Sequence, residues 1–381
     1  MKVGVSLLVQ NFPDLDRFEA RERSQPAPAD SEVYAQELYL GSLVEPLGFD
    51  SLWTVEHHFT PYAMIPDPLQ LLAYFAGATH RIDLGTMVVV LPWHDPVQVA
   101  EKLAMLDNMV GDRHLTIGLG RGAGRREFEG LRIDMGESRD RFTESLEILR
   151  RGLSQEWFSY EGTHYRVPET SIRPRPRSRD LTEQMYCAWG SPSTLPIAAN
   201  AGLGMLFIPQ KSWEEYATDV ASFNAIRAEQ GWSPSQPVVV AFVYCSASED
   251  DAREAGTRYM ANYQDSARRH YELDEPEHFR ATKGYEHYAQ IAEFLNQAEL
   301  DRAAANRAFA TSQVFGTPAQ CREKLWDIQR LLDARELVLI FKCGDMPLEK
   351  AEASMRLFAE TVLPAFQQPG VTAAHGAERR G

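Results

Sequence analysis

Short apolar runs alternate along the chain with longer stretches whose apolar positions recur at helical spacing. The runs Val3–Val9, Ser51–Val55, Ile82–Leu91, Leu115–Gly120, Gln184–Trp189, Gly204–Pro209, Val238–Cys245 and Glu336–Phe341 are rich in Val, Ile and Leu and show no clean alternation with polar residues. That pattern belongs to parallel strands covered on both faces. Helices are expected at Ser31–Leu47, Pro68–Ala78, Pro96–Met109, Asp140–Leu153, Ser193–Ala201, Ser212–Glu229, Asp250–Tyr263, Pro318–Leu332 and Pro347–Phe366. Ser31-Glu32 and Thr317-Pro318 carry helix-start signals, the latter with proline in the first turn. Eight strands alternating with helices predict an α/β fold, a (β/α)8 TIM barrel, in preference to an open doubly wound sheet.

Residues 1–366 are read as one barrel domain. Three segments break the repeat and are expected as insertions at the carboxyl ends of the strands. Residues 11–30 are polar and proline-rich, residues 157–176 read as a hairpin followed by a proline-stiffened loop, and residues 271–313 are long, polar and partly helical. Residues 367–381 lack an apolar pattern and are expected to be a disordered tail.

Composition narrows the function. The chain of 381 residues has 39 basic and 54 acidic residues, a formal charge of −15, which disfavours nucleic acid or an anionic membrane as partner. Cys187, Cys245, Cys321 and Cys343 form no Cys-x-x-Cys, so free thiols in a reducing cytoplasm are expected. No secretion signal and no apolar run long enough to span a membrane is seen, and a cytoplasmic location is expected.

Four stretches carry candidate chemistry. SLWTVEHHFT, residues 51–60, ends an apolar strand in Glu56-His57-His58, at the barrel face where active sites gather. Adjacent histidines on an extended chain point opposite ways, and no His-x-His or His-Glu-x-x-His occurs, so no metal site is expected. Either histidine can be a core residue. The sharper reading has one imidazole facing a pocket as proton donor or acceptor, oriented by the other histidine and Glu56. GLGRGAG, residues 118–124, nearly matches a dinucleotide fingerprint but follows the fourth strand, not the first. It reads better as a strand end where a flat ligand approaches the backbone and Arg121 meets a phosphate, or else as a tight turn with an exposed arginine. MGESRDRF adds Arg139, which shares that anion or simply faces solvent. WGSPSTLP, residues 189–196, sets Ser191, Ser193 and Thr194 at a helix start, as a phosphate cradle or an ordinary cap.

Taken together, VEHHF, DLGTMVVVLPWHDPVQVAEKLAMLDNMVGDRHLTIGLGRG, MGESRDRF, GSPSTLPIAANAGL and FGTPAQC resemble, in order and spacing, the bacterial luciferase-like flavin-dependent monooxygenases. The resemblance covers most of residues 1–366 and is weak in 11–30 and 271–310. It implies a barrel that takes reduced FMN as a cosubstrate from a separate flavin reductase, activates O2 as a flavin hydroperoxide, and forms a dimer, here a homodimer, through helices beside the second and third strands. His57 matches the family's catalytic histidine. Arg121, Arg139, Ser191 and Thr194 match positions holding the FMN phosphate, with Gly120, Gly190 and Ser193 beside the ligand. Met87-Val88 falls where the family has a non-prolyl cis peptide beneath the ring. The light-emitting subunits carry a cysteine at the position of Gly120 and an acid at that of Gly190. The expected reaction puts one atom of O2 into a small, largely apolar organic substrate walled by Phe59, Tyr62, Trp93 and Trp189; aldehyde oxidation, ketone-to-ester conversion and hydroxylation stay open. A deazaflavin-dependent hydride transfer on the same barrel and a non-catalytic flavin-binding protein are the alternatives.

Overall fold

The computed structural model describes residues 1–188, 194–207, 212–297, 306 and 309–367. Among them eleven strands occur in chain order: β1 (Lys2–Leu7), β2 (Ser51–Thr54), β3 (Asp83–Val90), β4 (Leu115–Gly120), β5 (Phe158–Glu161), β6 (Arg166–Thr170), β7 (Met185–Ala188), β8 (Gly204–Phe207), β9 (Val238–Cys245), β10 (Val314–Gly316) and β11 (Glu336–Ile340). The eight runs expected as strands are β1 to β4, β7 to β9 and β11. Parallel pairing takes them in the order β1-β2-β3-β4-β7-β8-β9-β11, and β11 returns to β1. Leu206 pairs with Val238 and Phe207 with Val239, so β8 meets β9 and the ring closes. The chain is therefore a closed eight-stranded parallel barrel.

Aspartate-proline pairs start two of the surrounding helices. Asp67 caps Pro68–Ala78, accepting from the N–H groups of Leu69 and Gln70 at 3.0 and 3.1 Å. Asp95 does the same for Pro96–Val110 through Val97 and Gln98, both at 3.0 Å. In each case the side chain fills donors the helix leaves open, and proline supplies the first-turn geometry.

The structure departs from the sequence pattern in several places. The helix expected to end at Tyr263 runs from Glu249 to His270, because Tyr259, Met260, Tyr263 and Ser266 keep burying the same face. The expected helix Pro347–Phe366 is two helices, Leu348–Thr361 and Pro364–Gln367, broken where Pro364 cannot donate to the preceding turn. Strand β10 and the helix Arg125–Leu131 had too few residues to show a period. The hairpin in residues 157–176 is present as antiparallel β5 and β6. Residues 271–313 include helices Pro276–Ala281 and Glu286–Gln297. The expectation for the tail lies, from residue 368 onward, outside the described residues.

The amino-terminal end of the barrel is plugged by one aromatic. Trp53 of β2 is 1% exposed. Its ring lies where a side chain on Gly85 would project, and its Nε1 stands 3.0 Å from where a Cβ on Gly4 would be. Trp53 Nε1 donates to Ser51 Oγ at 2.8 Å and Glu336 Oε1 at 3.0 Å. Burial raises the Glu336 carboxyl, and the Ser51 and Trp53 donors oppose that only in part. Trp53→Ala is expected to cost roughly 3–5 kcal/mol by opening a cavity and stripping Glu336 of a donor, read as a lower urea midpoint.

Candidate active site

The carboxyl ends of β2, β3, β4, β7 and β8 converge on one cavity of about 170 Å³. Its walls include Glu56, His57, Met87, Val88, Trp93, Gly120, Arg121, Arg139 and Thr194. A second hollow of about 230 Å³ lies between Asp95 and the Tyr165–Thr170 segment and shares no lining residue with the first.

His57 sits at one end. Its Nδ1 lies 3.1 Å from Oε1 of Glu127, on the short helix Arg125–Leu131. A carboxylate only accepts, so Nδ1 carries the proton and Nε2 is left as the proton-exchanging atom. The same Oε1 accepts from the backbone N–H of His58 at 2.8 Å. His270 Nε2 approaches Glu127 Oε2 at 3.4 Å, and its Nδ1 meets Thr60 Oγ1 at 2.7 Å. Glu127 is wholly buried. Burial works against its ionisation, but the charge of His57, the approach of His270 and the His57 bond outweigh it and bring the carboxyl down to about 2. Burial lowers His270, and Glu127 offsets this only in part. Tyr62 stacks on His270 at 4.6 Å and meets the edge of His57 at 4.9 Å, and burial keeps the phenols of Tyr62 and Tyr271 far above their usual range.

The expectation that Glu56 and His58 orient His57 is corrected. Glu56 instead accepts from Val90 N–H at 2.7 Å, His94 Nε2 at 2.7 Å and His58 Nε2 at 3.1 Å. Alternation explains it: Glu56 and His58 share one side of the extended chain and His57 takes the other. Burial opposes the charge on His94, yet its bond to Glu56 leaves its pKa raised.

The other end is cationic. The guanidiniums of Arg121 and Arg139 converge on Gly284: a Cβ there would lie 3.1 Å from Arg121 Nη1 and 3.5 Å from Arg139 Nη2, and its φ of +84° is one that side chains rarely adopt. Arg121 Nη1 donates to Gly284 O at 3.0 Å, and the guanidinium Cζ lies 4.0 Å over the ring of Tyr285. Tyr285 meets Gly122 O at 2.7 Å and Ser138 Oγ at 3.0 Å. Residues 282–288 thus form a strap across the cationic end. Between the two ends the Met87–Val88 peptide is cis. Gly120 leaves space that Val88 Cγ2 fills; any Cβ at 120 would overlap it. Cys187 lines the cavity with its thiol pushed up to about 12 by burial, so no thiolate stands there.

The chain matches the luciferase-like monooxygenase family over residues 1–335. It belongs to that family. The alkanal monooxygenase alpha chain of the Kryptophanaron alfredi symbiont is 27% identical over 383 residues, covering 97% of this chain and 99% of that one. Monooxygenase RslO1 from Streptomyces bottropensis is 27% identical with a TM-score of 0.76, over 96% of this chain and all of that one. The oxygenating constituent of 3,6-diketocamphane monooxygenase of Pseudomonas putida, a type II Baeyer–Villiger monooxygenase solved with FMN, shares the fold with a TM-score of 0.70 at 18% identity, over 96% and 98%.

Of the residues expected from sequence, His57, Met87, Val88, Trp93, Gly120, Arg121, Arg139 and Thr194 meet at this cavity. Trp189, Gly190, Ser191 and Ser193 lie outside the described residues. Phe59 does not line the cavity: at φ +64° it turns outward, is 52% exposed and leans over His58 and Gly130. Tyr62 stands behind His57 and supports it without forming the wall. Sequence reasoning missed Glu127, His270, Tyr271 and Tyr285. Glu127 follows the glycine turn closely enough to be a candidate; the others lie in the polar region after the seventh barrel strand.

Glu127 is lowered from 4.5 to about 2, so it stabilises the fold above the unfolded value, and that contribution disappears as pH falls through the folded one. The expected size is on the order of 3 kcal/mol, shared with its two histidines. Wild-type stability should therefore fall steeply between about pH 4.5 and 2. Glu127→Gln, followed by urea unfolding at each pH, should be less stable at neutrality and have a shallower acid slope.

Proposed function

We propose that the protein is a monooxygenase that uses reduced FMN, delivered by a separate flavin reductase, to place one atom of O2 into a small, largely apolar organic substrate. One observation carries this reading: a single cavity has paired guanidiniums at one end and a carboxylate-held imidazole at the other. That pairing of groups around one cavity suits a ligand with a phosphate and a reactive ring. Arg121, Arg139 and Thr194 would take the phosphate by charge-assisted bonds. The cis Met87–Val88 segment would lie against the ring, with the Val88 side chain seated in the space that Gly120 leaves. Bound reduced FMN would supply the electrons and the site of O2 activation. His57, with Nδ1 tied to Glu127, would give or take a proton at Nε2. Phe142, Ile197, Leu206 and Phe207 line the cavity and would hold an apolar substrate and keep water out.

The cavity is smaller than the roughly 300–1,000 Å³ of most ligand pockets. The 282–288 strap holds Arg121 through Gly284 and Tyr285, and cofactor entry would displace it. A homodimer is part of the proposal. Tyr74 on helix Pro68–Ala78 and Met105 and Met109 on helix Pro96–Val110 are 56%, 44% and 49% exposed on neighbouring helices beside β2 and β3. Exposed apolar side chains on these two packed helices suit association with a second copy. Among the described residues no helix is long and apolar enough to cross a membrane.

The deciding experiment supplies reduced FMN and ¹⁸O2 with a panel of apolar aldehydes, ketones and aromatics. Oxygen uptake coupled to product carrying one labelled atom is expected; turnover with reduced deazaflavin alone would defeat the reading. Arg121→Ala should weaken FMN binding by about 10–100-fold, as loss of one charge-assisted contact predicts, and leave riboflavin binding nearly unchanged in a fluorescence titration. Met105→Glu with Met109→Glu should shift sedimentation from dimer to monomer.

A further inference from the structure

Glu127 faces two imidazoles, and the reading of His57 as the cavity's proton carrier uses only one. We propose that His57 and His270 share a single proton across Glu127, and that His270 is a positioning residue setting how tightly His57 holds it. This rests on the proposed role of His57.

Three observations carry the inference. The two rings use different oxygens of one carboxylate: His57 Nδ1 at 3.1 Å from Oε1 and His270 Nε2 at 3.4 Å from Oε2. Oε2 and His270 Nε2 are both buried and make no hydrogen bond with any described group, and they face each other 3.4 Å apart as a charge contact. The second nitrogen of His270 meets a hydroxyl, Thr60 Oγ1 at 2.7 Å, which can donate to a neutral ring or turn to accept from a charged one. That partner tolerates both protonation states.

Charge balance fixes the number of protons. A sealed carboxylate needs one compensating cation. The guanidiniums of its own helix are engaged elsewhere: Arg125 and Arg126 bind Glu272 at 2.6 and 3.0 Å. With no imidazolium, Glu127 would be unpaired. With two, the cations would face each other with ring centroids 4.8 Å apart. One proton satisfies the carboxylate. Its seat is chosen by solvent contact: the His57 side chain is 15% exposed to the cavity and that of His270 is not exposed at all. The other groups facing the pair leave this unchanged. Tyr62, Tyr263 and Tyr271 are buried phenols kept protonated, the His58 ring goes to Glu56, and Arg126 disfavours charge on His270. A neutral His270 with its proton on Nε2 still sets an N–H dipole 3.4 Å from Glu127 Oε2. Without it the carboxylate would pull harder on the His57 proton.

The test reads imidazole ¹⁵N shifts against pH in the flavin-free protein. In the wild type the His270 signals should move at the pH where His57 titrates, as coupled sites do. In His270→Phe, which keeps the stacked ring and removes both nitrogens, His57 should hold its proton about tenfold more tightly, a midpoint raised by about one unit. His270→Gln keeps an N–H for Glu127 but cannot take a proton. It should restore the His57 midpoint toward the wild-type value and make it titrate as a single site. A His57 midpoint unmoved by His270→Phe, or a wild-type titration pattern in His270→Gln should the Phe variant fail to fold, would overturn the proposal. FMN binding by the wild type is measured separately, so the sharing of a proton and the flavin reading can fail independently.

Discussion

The carboxylate of Glu127 is closed off from water, and a charge in that position persists only when N–H groups and a counter-charge surround it. Meeting that need gathers three distant parts of the chain. The turn after β2 brings His57 and the His58 amide, the turn after β4 leads into the helix carrying Glu127, and the last residue of the long helix after β9 brings His270. Loss of the carboxylate would free all three. The placement of His57 is thus a consequence of charge burial more than of local backbone preference.

The opposite end of the cavity obeys the same rule with reversed sign. Two guanidiniums brought close together need acceptors, and the strap meets part of that need with the Gly284 carbonyl and the Tyr285 ring. A phosphate would satisfy them better, since charged pairs bind more strongly than neutral ones. The cavity therefore sets cation against anion at each end and keeps its middle apolar. This division fits a long ligand with one charged terminus.

The barrel was legible because its strands are buried on both faces and so read as unbroken apolar runs. His57, Arg121 and Arg139 were legible because each breaks such a run or opens a helix at a strand's carboxyl end. Glu127 was not, since its helix, Arg125–Leu131, completes too few turns to show periodicity and the residue resembles a surface acid. His270 was not, since its partner lies far away in sequence and the helix was cut short at Tyr263. Glu56 was placed correctly at the site but joined to the wrong imidazole, because adjacency in sequence hid the alternation of the extended chain. Phe59 was assigned to the wall by residue type, yet its left-handed backbone turns it out to solvent.

The contact between Val88 and the empty side-chain position of Gly120 has an evolutionary corollary. Those two sites on neighbouring strands compete for one volume, so neither drifts alone. A relative bearing a thiol or methyl at the second site should carry a smaller residue at the first. Such reciprocal size exchange across an alignment would mark where the floor of the cavity has been recarved.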